Sequence, residues 1–287
     1  MNTKLLCILA VAVMLGAVFA AGCTTGTVTG QTSCQGTTPV PAVSINETPV
    51  RYADVNGVRL AYREVGSGEP LLMIPGFGAT MDIEWNSSFL GILASKYHVY
   101  TYDNRGMGYS SDDNTTPTMT LYSEDAAGLM TALGYDSMHV YGVSMGSSIA
   151  QQLVIDHPGH VRKLVLDSVT YDARIPETAA LFSTLQSAAG NQSLPAGIRR
   201  EAEANLAWNG TWDELSGIDK NVMLVVGTGD TATPQEVAVR MAGRINGSWL
   251  VRFRDLPHVG SHYAPVEYGE NALDFLCMNE SPPYAEG

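Results

Sequence analysis

A strand that turns directly into a helix at a serine flanked by glycines constrains this chain more than any other feature. Residues 138–143 are apolar and β-branched, as in a buried strand, and residues 149–154 have helical character. Between them stands Gly142-x-Ser144-x-Gly146, whose glycines leave room for a sharp bend where a Cβ would collide. The bend lifts the Ser144 hydroxyl off the sheet and places the next amide, that of Met145, at a helix N-terminus.

Strand and helix patterns alternate along most of the chain, and this alternation predicts the fold class. Strand patterns occur at 50–55, 58–65, 71–74, 98–102, 138–143, 161–166, 222–226 and 249–253. Helical patterns occur near 89–96 and 121–133, from the Ser144 turn to about 156, and near 234–244 and 270–277. The sequence therefore predicts an α/β fold with a mostly parallel eight-stranded sheet and helices on both faces.

The alternation breaks between residues 170 and 219. This stretch has no strand pattern, but it has two helical patterns, 177–187 and 198–207, and several aromatic residues. We interpret it as a small helical cap inserted into the α/β domain, which itself is expected to span residues 49–287.

The N-terminal residues have the composition of a targeting segment, and residues 1–22 are predicted to be a signal peptide. Lys4 supplies a positive charge and an apolar run follows it. Ala20-Ala21-Gly22-Cys23 resembles a lipobox, which predicts a lipid on Cys23. Cleavage by an ordinary signal peptidase after Ala20 and an uncleaved membrane anchor are the two alternatives.

Residues 23–48 are rich in Thr, Gly, Ser and Pro, which predicts a flexible tether between the anchor and the domain. With any of the three N-terminal alternatives the domain is exported. It is then held at the outer face of the cytoplasmic membrane by a lipid or an N-terminal anchor, or it is secreted.

The net negative charge of the chain limits the classes of partner that it is expected to bind. The formal net charge of −13 at pH 7 argues against nucleic acid and against binding an anionic membrane through a basic face. The sequence has no cluster with metal-ligand spacing and no nucleotide-binding loop, so neither a metal nor another cofactor is expected.

Ser144 needs two partners to act as a nucleophile, and candidates for both follow later strands. A histidine must take the serine proton, and an acid must hold that histidine. Asp230 lies on a glycine-rich loop just past strand 222–226, although it could instead only cap the helix begun by Pro234. His258 and His262 follow the last strand. In a parallel sheet such loops meet at the carboxyl ends of the strands.

Several motifs in this order resemble the α/β-hydrolase superfamily, in the branch with a serine nucleophile and a helical cap. Besides Gly142-x-Ser144-x-Gly146, they are Pro75-Gly76-Phe77-Gly78, Asp103-x-Arg105-Gly106-x-Gly108-x-Ser110 and Gly227-x-x-Asp230. The resemblance covers about residues 50–276. It implies that Ser144 is the nucleophile, that Asp230 is the orienting acid, and that the amides of Phe77 and Met145 form the oxyanion hole.

The catalytic base is where the sequence departs from the family pattern. Members usually carry Gly-His shortly after the last strand, but here Ser261 separates Gly260 from His262. We expect that the loop has gained one residue and that His262 is the base, with His258 as the alternative.

The resemblance implies an esterase-like enzyme without a cofactor that acts on a small or medium carboxylic ester. The same three residues could also serve an aminopeptidase, a lactonase, a carbon–carbon bond hydrolase or a perhydrolase. A non-catalytic surface binding module of the same fold is the alternative from another class, but such modules usually lose the nucleophile or the base.

Overall fold

The structure, a computed structural model, describes residues 41–278. The predicted signal peptide, Cys23 and most of the predicted tether lie outside these residues. No helix within 41–278 has the length and apolar character that crossing a membrane requires.

Eight strands form one sheet. They are β1 (Arg51–Val55), β2 (Val58–Gly66), β3 (Glu69–Ile74), β4 (Tyr97–Tyr102), β5 (Met138–Val143), β6 (Val161–Asp167), β7 (Asn221–Gly227) and β8 (Trp249–Phe253). Their order across the sheet is β1-β2-β4-β3-β5-β6-β7-β8. Strand β2 pairs antiparallel with both of its neighbours, and every other pair is parallel. The predicted sheet is therefore confirmed.

Seven α-helices accompany the sheet within the described residues. They are α1 (Ser87–Ala94), α2 (Met119–Ala132), α3 (Met145–Asp156), α4 (Ala179–Gly190), α5 (Ala196–Ala207), α6 (Gln235–Arg244) and α7 (Pro265–Cys277). The last of these begins five residues before the predicted start of 270, because Pro265 supplies a favourable first helical position.

Alternating side chains of the central strands separate two layers of core. In β3, Leu72 and Ile74 pack with α2, α3 and α6, whereas Leu71 and Met73 pack with α1 and α7. All four side chains are fully buried. A strand buried on both faces has this nearly continuous apolar sequence, which is why the pattern identified it.

The segment between β6 and β7 holds helices α4 and α5, which form the predicted cap. Leu181 and Leu185 of α4 and Ala202 of α5 share a small apolar cluster with Ala232, which belongs to the loop after β7. The cap is thus packed onto the carboxyl end of the sheet rather than onto one of its faces.

The predicted tether ends earlier than expected. Residues 41–48 contact the domain: the amide of Val43 donates to the carbonyl of Ser87, and Ile45 is only 3% exposed. Gly91 of α1 faces the Pro41 carbonyl so closely that a Cβ there would lie 2.2 Å from its oxygen. Burial of Ile45 and the absence of a side chain at Gly91 allow this segment to pack, which composition alone did not indicate.

Candidate active site

The loops that follow four strands meet at the carboxyl edge of the sheet. These are the loop after β3 with Phe77, the turn after β5 with Ser144, the loop after β7 with Asp230 and the loop after β8 with His258. A parallel sheet brings such loops together because their strands end on the same side.

Ser144 lies at the apex of the strand-to-helix turn in a strained conformation. Its φ of 52° and ψ of −119° are unfavourable for a residue with a side chain, at a cost of about 1–3 kcal/mol. A Cβ at Gly142 would approach the Gly146 carbonyl oxygen to 2.3 Å, and one at Gly146 would approach that of Ile74 to 2.1 Å. The two glycines are therefore required for the bend that the sequence predicted.

Asp230 is held in position by hydrogen bonds from residues of its own loop. Its Oδ1 accepts hydrogen bonds from the amides of Ala232 and Thr233, each at 2.8 Å, and its Oδ2 accepts one from the Thr233 hydroxyl at 2.8 Å. Burial alone raises the pKa of Asp230, but the charge of His258 and these hydrogen bonds outweigh burial and lower it. The carboxylate is thus stabilised in its ionised form.

His258 lies between Ser144 and Asp230. Its Nε2 is 2.8 Å from the Ser144 hydroxyl oxygen, and its Nδ1 is 2.8 Å from Oδ2 of Asp230. Because an ionised carboxylate only accepts hydrogen bonds, Nδ1 carries the proton and Nε2 is free to accept from the serine. Burial lowers the pKa of His258, but the charge of Asp230 and the hydrogen bond to it outweigh burial and raise it.

The prediction that His262 takes the position beside Ser144 is wrong. His262 ends a short 3-10 turn at Gly260–His262, and its Nε2 donates to the carbonyl of Glu84 at 2.5 Å. The alternative, His258, occupies the position instead. The backbone just after His258 explains the difference, because Val259 adopts a left-handed conformation at φ 54°. Counting residues from Gly260 could not reveal that bend.

Ser168 holds this unusual bend in place. Its hydroxyl accepts a hydrogen bond from the Val259 amide at 2.9 Å and donates one to Asp167 at 3.0 Å. A left-handed conformation is costly for a β-branched residue and needs such surrounding support. The end of β6 therefore helps to position the histidine.

Phe77 and Met145, whose amides are predicted as the oxyanion hole, line the same pocket as Ser144. Within residues 41–278, neither amide donates to a protein acceptor. The amides on either side of Phe77 are both occupied: Gly76 donates to Glu84 at 2.9 Å, and Gly78 donates to Glu201 at 2.8 Å. The loop thus leaves one unused donor, from Phe77, beside the one from Met145 at the N-terminus of α3.

The pocket lies between the sheet and the cap and is narrow, with a cavity volume of about 10 Å³. Its lining consists of Phe77, Ser144, Met145, Ser148, Thr170, Leu181, Leu185, Asn205 and Thr233. Three of these residues come from the cap helices, so the cap contributes one wall of the pocket.

Sequence reasoning missed the residues that support this site. Glu84 and Glu201 are both buried, at 5% and 0% exposure, yet neither belongs to a motif. Thr233 had a readable signal, since it stands three residues after Asp230, where a side chain commonly meets a turn-forming aspartate.

No residues within 41–278 form a group of three or more His, Cys, Asp or Glu suited to a metal ion.

Residues 69–209 match the family model described as the alpha/beta hydrolase fold. A relative from Cupriavidus necator is 37% identical over 119 residues, and its name is dihydrolipoyllysine-residue acetyltransferase component of acetoin cleaving system. That match covers 41% of this chain and only 31% of the relative. This chain therefore spans about a third of that protein's length.

Two further similarities extend over most of the chain. A protein of Synechocystis sp. with the provisional name of a non-heme chloroperoxidase is 28% identical, over 76% of this chain and 95% of its own length. The crystal structure of a hydrolase from Pseudomonas aeruginosa is 21% identical with a TM-score of 0.71, over 80% of this chain and 98% of that one.

The family model and the structural neighbours place this chain in the α/β-hydrolase fold. The order of the strands, the turn at Ser144 and the inserted cap agree with that placement. This chain thus has the α/β-hydrolase fold, with an eight-stranded, mostly parallel sheet.

Proposed function

We propose that this protein is a serine hydrolase that cleaves a small or medium carboxylic ester through an acyl intermediate on Ser144. The observation that carries this proposal is the continuous pair of hydrogen bonds through His258. They join the hydroxyl of Ser144 to Nε2 and the carboxylate of Asp230 to Nδ1, each at 2.8 Å. This arrangement activates a serine, which is otherwise a weak nucleophile.

In the proposed first step, the oxygen of Ser144 attacks the ester carbonyl while His258 takes its proton. Asp230 keeps the ring oriented and stabilises the imidazolium that forms. The amides of Phe77 and Met145 donate to the negative oxygen of the tetrahedral intermediate. That intermediate collapses when the bond to the alcohol oxygen breaks, and His258 returns the proton to the leaving alcohol.

In the second step, a water molecule attacks the acyl group on Ser144. His258 takes a proton from the water, and the negative oxygen again lies at the two amides. Collapse releases the carboxylic acid and restores the serine hydroxyl. The pocket supports a substrate of limited size, since it is narrow and Leu181 and Leu185 of the cap line it together with Ser144.

A fluorophosphonate probe and a series of p-nitrophenyl esters of increasing acyl length test this proposal. We expect covalent labelling of the purified protein and turnover of short esters, both lost in Ser144→Ala. Ser187→Ala is the matched control, because it removes an exposed hydroxyl from cap helix α4. A wild-type protein that neither reacts with the probe nor cleaves any ester would contradict the proposal.

A second candidate function is perhydrolysis, in which hydrogen peroxide replaces water in the second step and a peroxyacid is released. The similarity over 95% of the Synechocystis protein, with its chloroperoxidase name, favours this candidate. With one p-nitrophenyl ester as acyl donor and hydrogen peroxide present, the ratio of peroxyacid to carboxylic acid released measures which acyl acceptor is preferred.

The proposal also places the enzyme outside the cytoplasmic membrane, attached through a lipid on Cys23. The support is the small-residue run ending at Cys23 after an apolar segment. We expect a fatty-acid analogue to label the wild-type protein and the Cys34→Ser control, but not Cys23→Ser. An unlabelled wild-type protein with its N-terminus at Ala21 would indicate ordinary secretion instead.

A further inference from the structure

A buried carboxyl group from the cap lies against the loop that carries Phe77. It belongs to Glu201 of α5, which has 0% exposure. Its Oε2 accepts the hydrogen bond from the Gly78 amide at 2.8 Å, and its Oε1 accepts one from Nδ2 of Asn104 at 3.0 Å. A side chain of the cap therefore binds two loops of the α/β domain.

Within residues 41–278, this carboxyl group forms no salt bridge with a cationic side chain. Among the arginines near it in the sequence or at the neighbouring loop, Arg199 contacts Gln192, Arg200 pairs with Asp112, and Arg105 pairs with Asp125 and Asp113. The titratable groups that face Glu201 are acidic or phenolic, and they are Asp103, Glu84, Tyr102 and Tyr122. A buried carboxylate in such surroundings is costly, so the neutral form is favoured.

The pKa of Glu201 is shifted in the direction that its buried, acidic surroundings predict. Burial, together with the negative charges of Asp103 and Glu84, raises the pKa of Glu201 to about 8, although the hydrogen bonds from Gly78 and Asn104 oppose this. The buried Oδ1 of Asn104 has no partner in the described residues. With this amide flipped, Oδ1 lies toward Glu201 and accepts a hydrogen bond from the neutral carboxyl group.

We propose that Glu201 is a positioning residue through which the cap holds the oxyanion loop in its active geometry, in the neutral form of its carboxyl group. This inference rests on the proposed function. Gly78 follows Phe77 directly, so its hydrogen bond to Glu201 fixes the peptide between Phe77 and Gly78, which adjoins the peptide that carries the Phe77 amide. Glu84 holds the amide of Gly76 on the other side. One anchor thus comes from the α/β domain and the other from the cap.

The neutral form matters because of where charge develops in the reaction. The oxygen of the tetrahedral intermediate becomes negative beside the Phe77 amide, one residue from the group that Glu201 binds. An ionised Glu201 would repel that charge in a site with little water to screen it. A neutral carboxyl group accepts the same hydrogen bond from Gly78 without this repulsion.

The kinetic test compares Glu201→Gln with Glu203→Gln, which changes an exposed glutamate on the same helix. In the wild type and in Glu203→Gln we expect kcat to fall above about pH 8, and in Glu201→Gln we expect this fall to disappear, since glutamine keeps the acceptor and cannot ionise. Glu201→Ala should lower kcat about ten-fold or more at pH 7 with a smaller change in KM. An alkaline fall that persists in Glu201→Gln, or an unchanged kcat in Glu201→Ala, would overturn the proposal.

A measurement without substrate separates failure of this inference from failure of the proposed function. The amide resonance of Gly78 in a nitrogen-15 NMR spectrum should shift with pH as Glu201 ionises in the wild type. It should not shift in Glu201→Gln, and the protonated-carboxyl infrared band should be weaker in that variant at pH 7. A Gly78 resonance that is independent of pH in the wild type from 6 to 9.5 would overturn the inference even if esters are cleaved.

Discussion

The sheet side and the cap side of this candidate active site are built by different means. On the sheet side, Ser144, His258 and Asp230 stand on loops whose course is fixed by strand ends and glycine contacts. On the cap side, the pocket wall and Glu201 come from two short helices without any motif. Backbone bends that require glycine leave a signature in the sequence, whereas a left-handed turn at a valine and contacts between helices and loops do not.

The largest loss of kcat is expected when the histidine on the sheet side is removed. We expect His258→Ala to lower kcat by on the order of a thousand-fold or more, since base and nucleophile act as a unit. His262→Ala should cost at most about ten-fold, because His262 only supports the loop near Glu84. Steady-state kinetics on one p-nitrophenyl ester compares them, and the reverse order of losses would show that His262 is the base.

The cap side should dominate the pH dependence of stability. The pKa of Glu201 is raised to about 8 in the folded protein, whereas the pKa of a glutamate in an unfolded chain is about 4.3. The contribution of Glu201 to the free energy of unfolding is therefore complete below about pH 4. It is lost as the pH rises through the pKa of the folded protein, by up to about 1.4 kcal/mol per pH unit.

We accordingly expect the free energy of unfolding to fall between about pH 5 and pH 8 in the wild type, and to fall less steeply in Glu201→Gln. Urea denaturation at intervals of pH provides the measurement. Burial also raises the pKa values of Asp103 and Asp167 to about 6, with the same sign, so Glu203→Gln serves as the reference. Parallel slopes in the two glutamine variants would contradict a neutral Glu201.

A smaller loss of kcat is expected when the hydroxyl group that supports Asp230 on the sheet side is removed. Thr233→Val removes the hydroxyl that donates to Oδ2 of Asp230 and keeps the backbone donor to Oδ1. We expect kcat to fall about ten-fold, since Asp230 would orient His258 less firmly. Thr184→Val, on the exposed side of α4, is the control. Unchanged turnover in Thr233→Val would show that the backbone amides suffice.

The smallest expected effect concerns the wall that the cap supplies to the pocket. Leu181→Ala should shift the preference toward longer acyl chains by a few-fold, because it enlarges the pocket by the volume of a side chain that borders it. Leu194→Ala changes another cap leucine, which is half-buried and does not line the pocket. An equal shift in both variants would mean that the cap acts through its general stability.

Much of the sheet side could be predicted from sequence. The strand β5 and the turn at Ser144 follow from an apolar run that meets two glycines, and the loop with Asp230 follows from a strand that runs into Gly227 and Gly229. The base could not be identified, because its position depends on the left-handed turn at Val259. A β-branched residue gives no sign of that conformation.

The cap could be predicted only as a pair of helices. Their existence followed from the missing strand pattern, but the burial of Glu201 did not. A glutamate in a charged helix is normally exposed, and only the packing of α5 against the loops with Gly78 and Asn104 removes it from water. The packing of Ile45 at the start of the domain escaped prediction for the same reason.

Mapping the fluorophosphonate adduct by mass spectrometry in the wild type, His258→Ala and His262→Ala tests most directly whether His258 activates Ser144. We expect one modified peptide, carrying Ser144, in the wild type and in His262→Ala, and little or none in His258→Ala. An adduct at Ser144 that survives in His258→Ala but disappears in His262→Ala would contradict this expectation, as would a wild-type protein modified only at another residue.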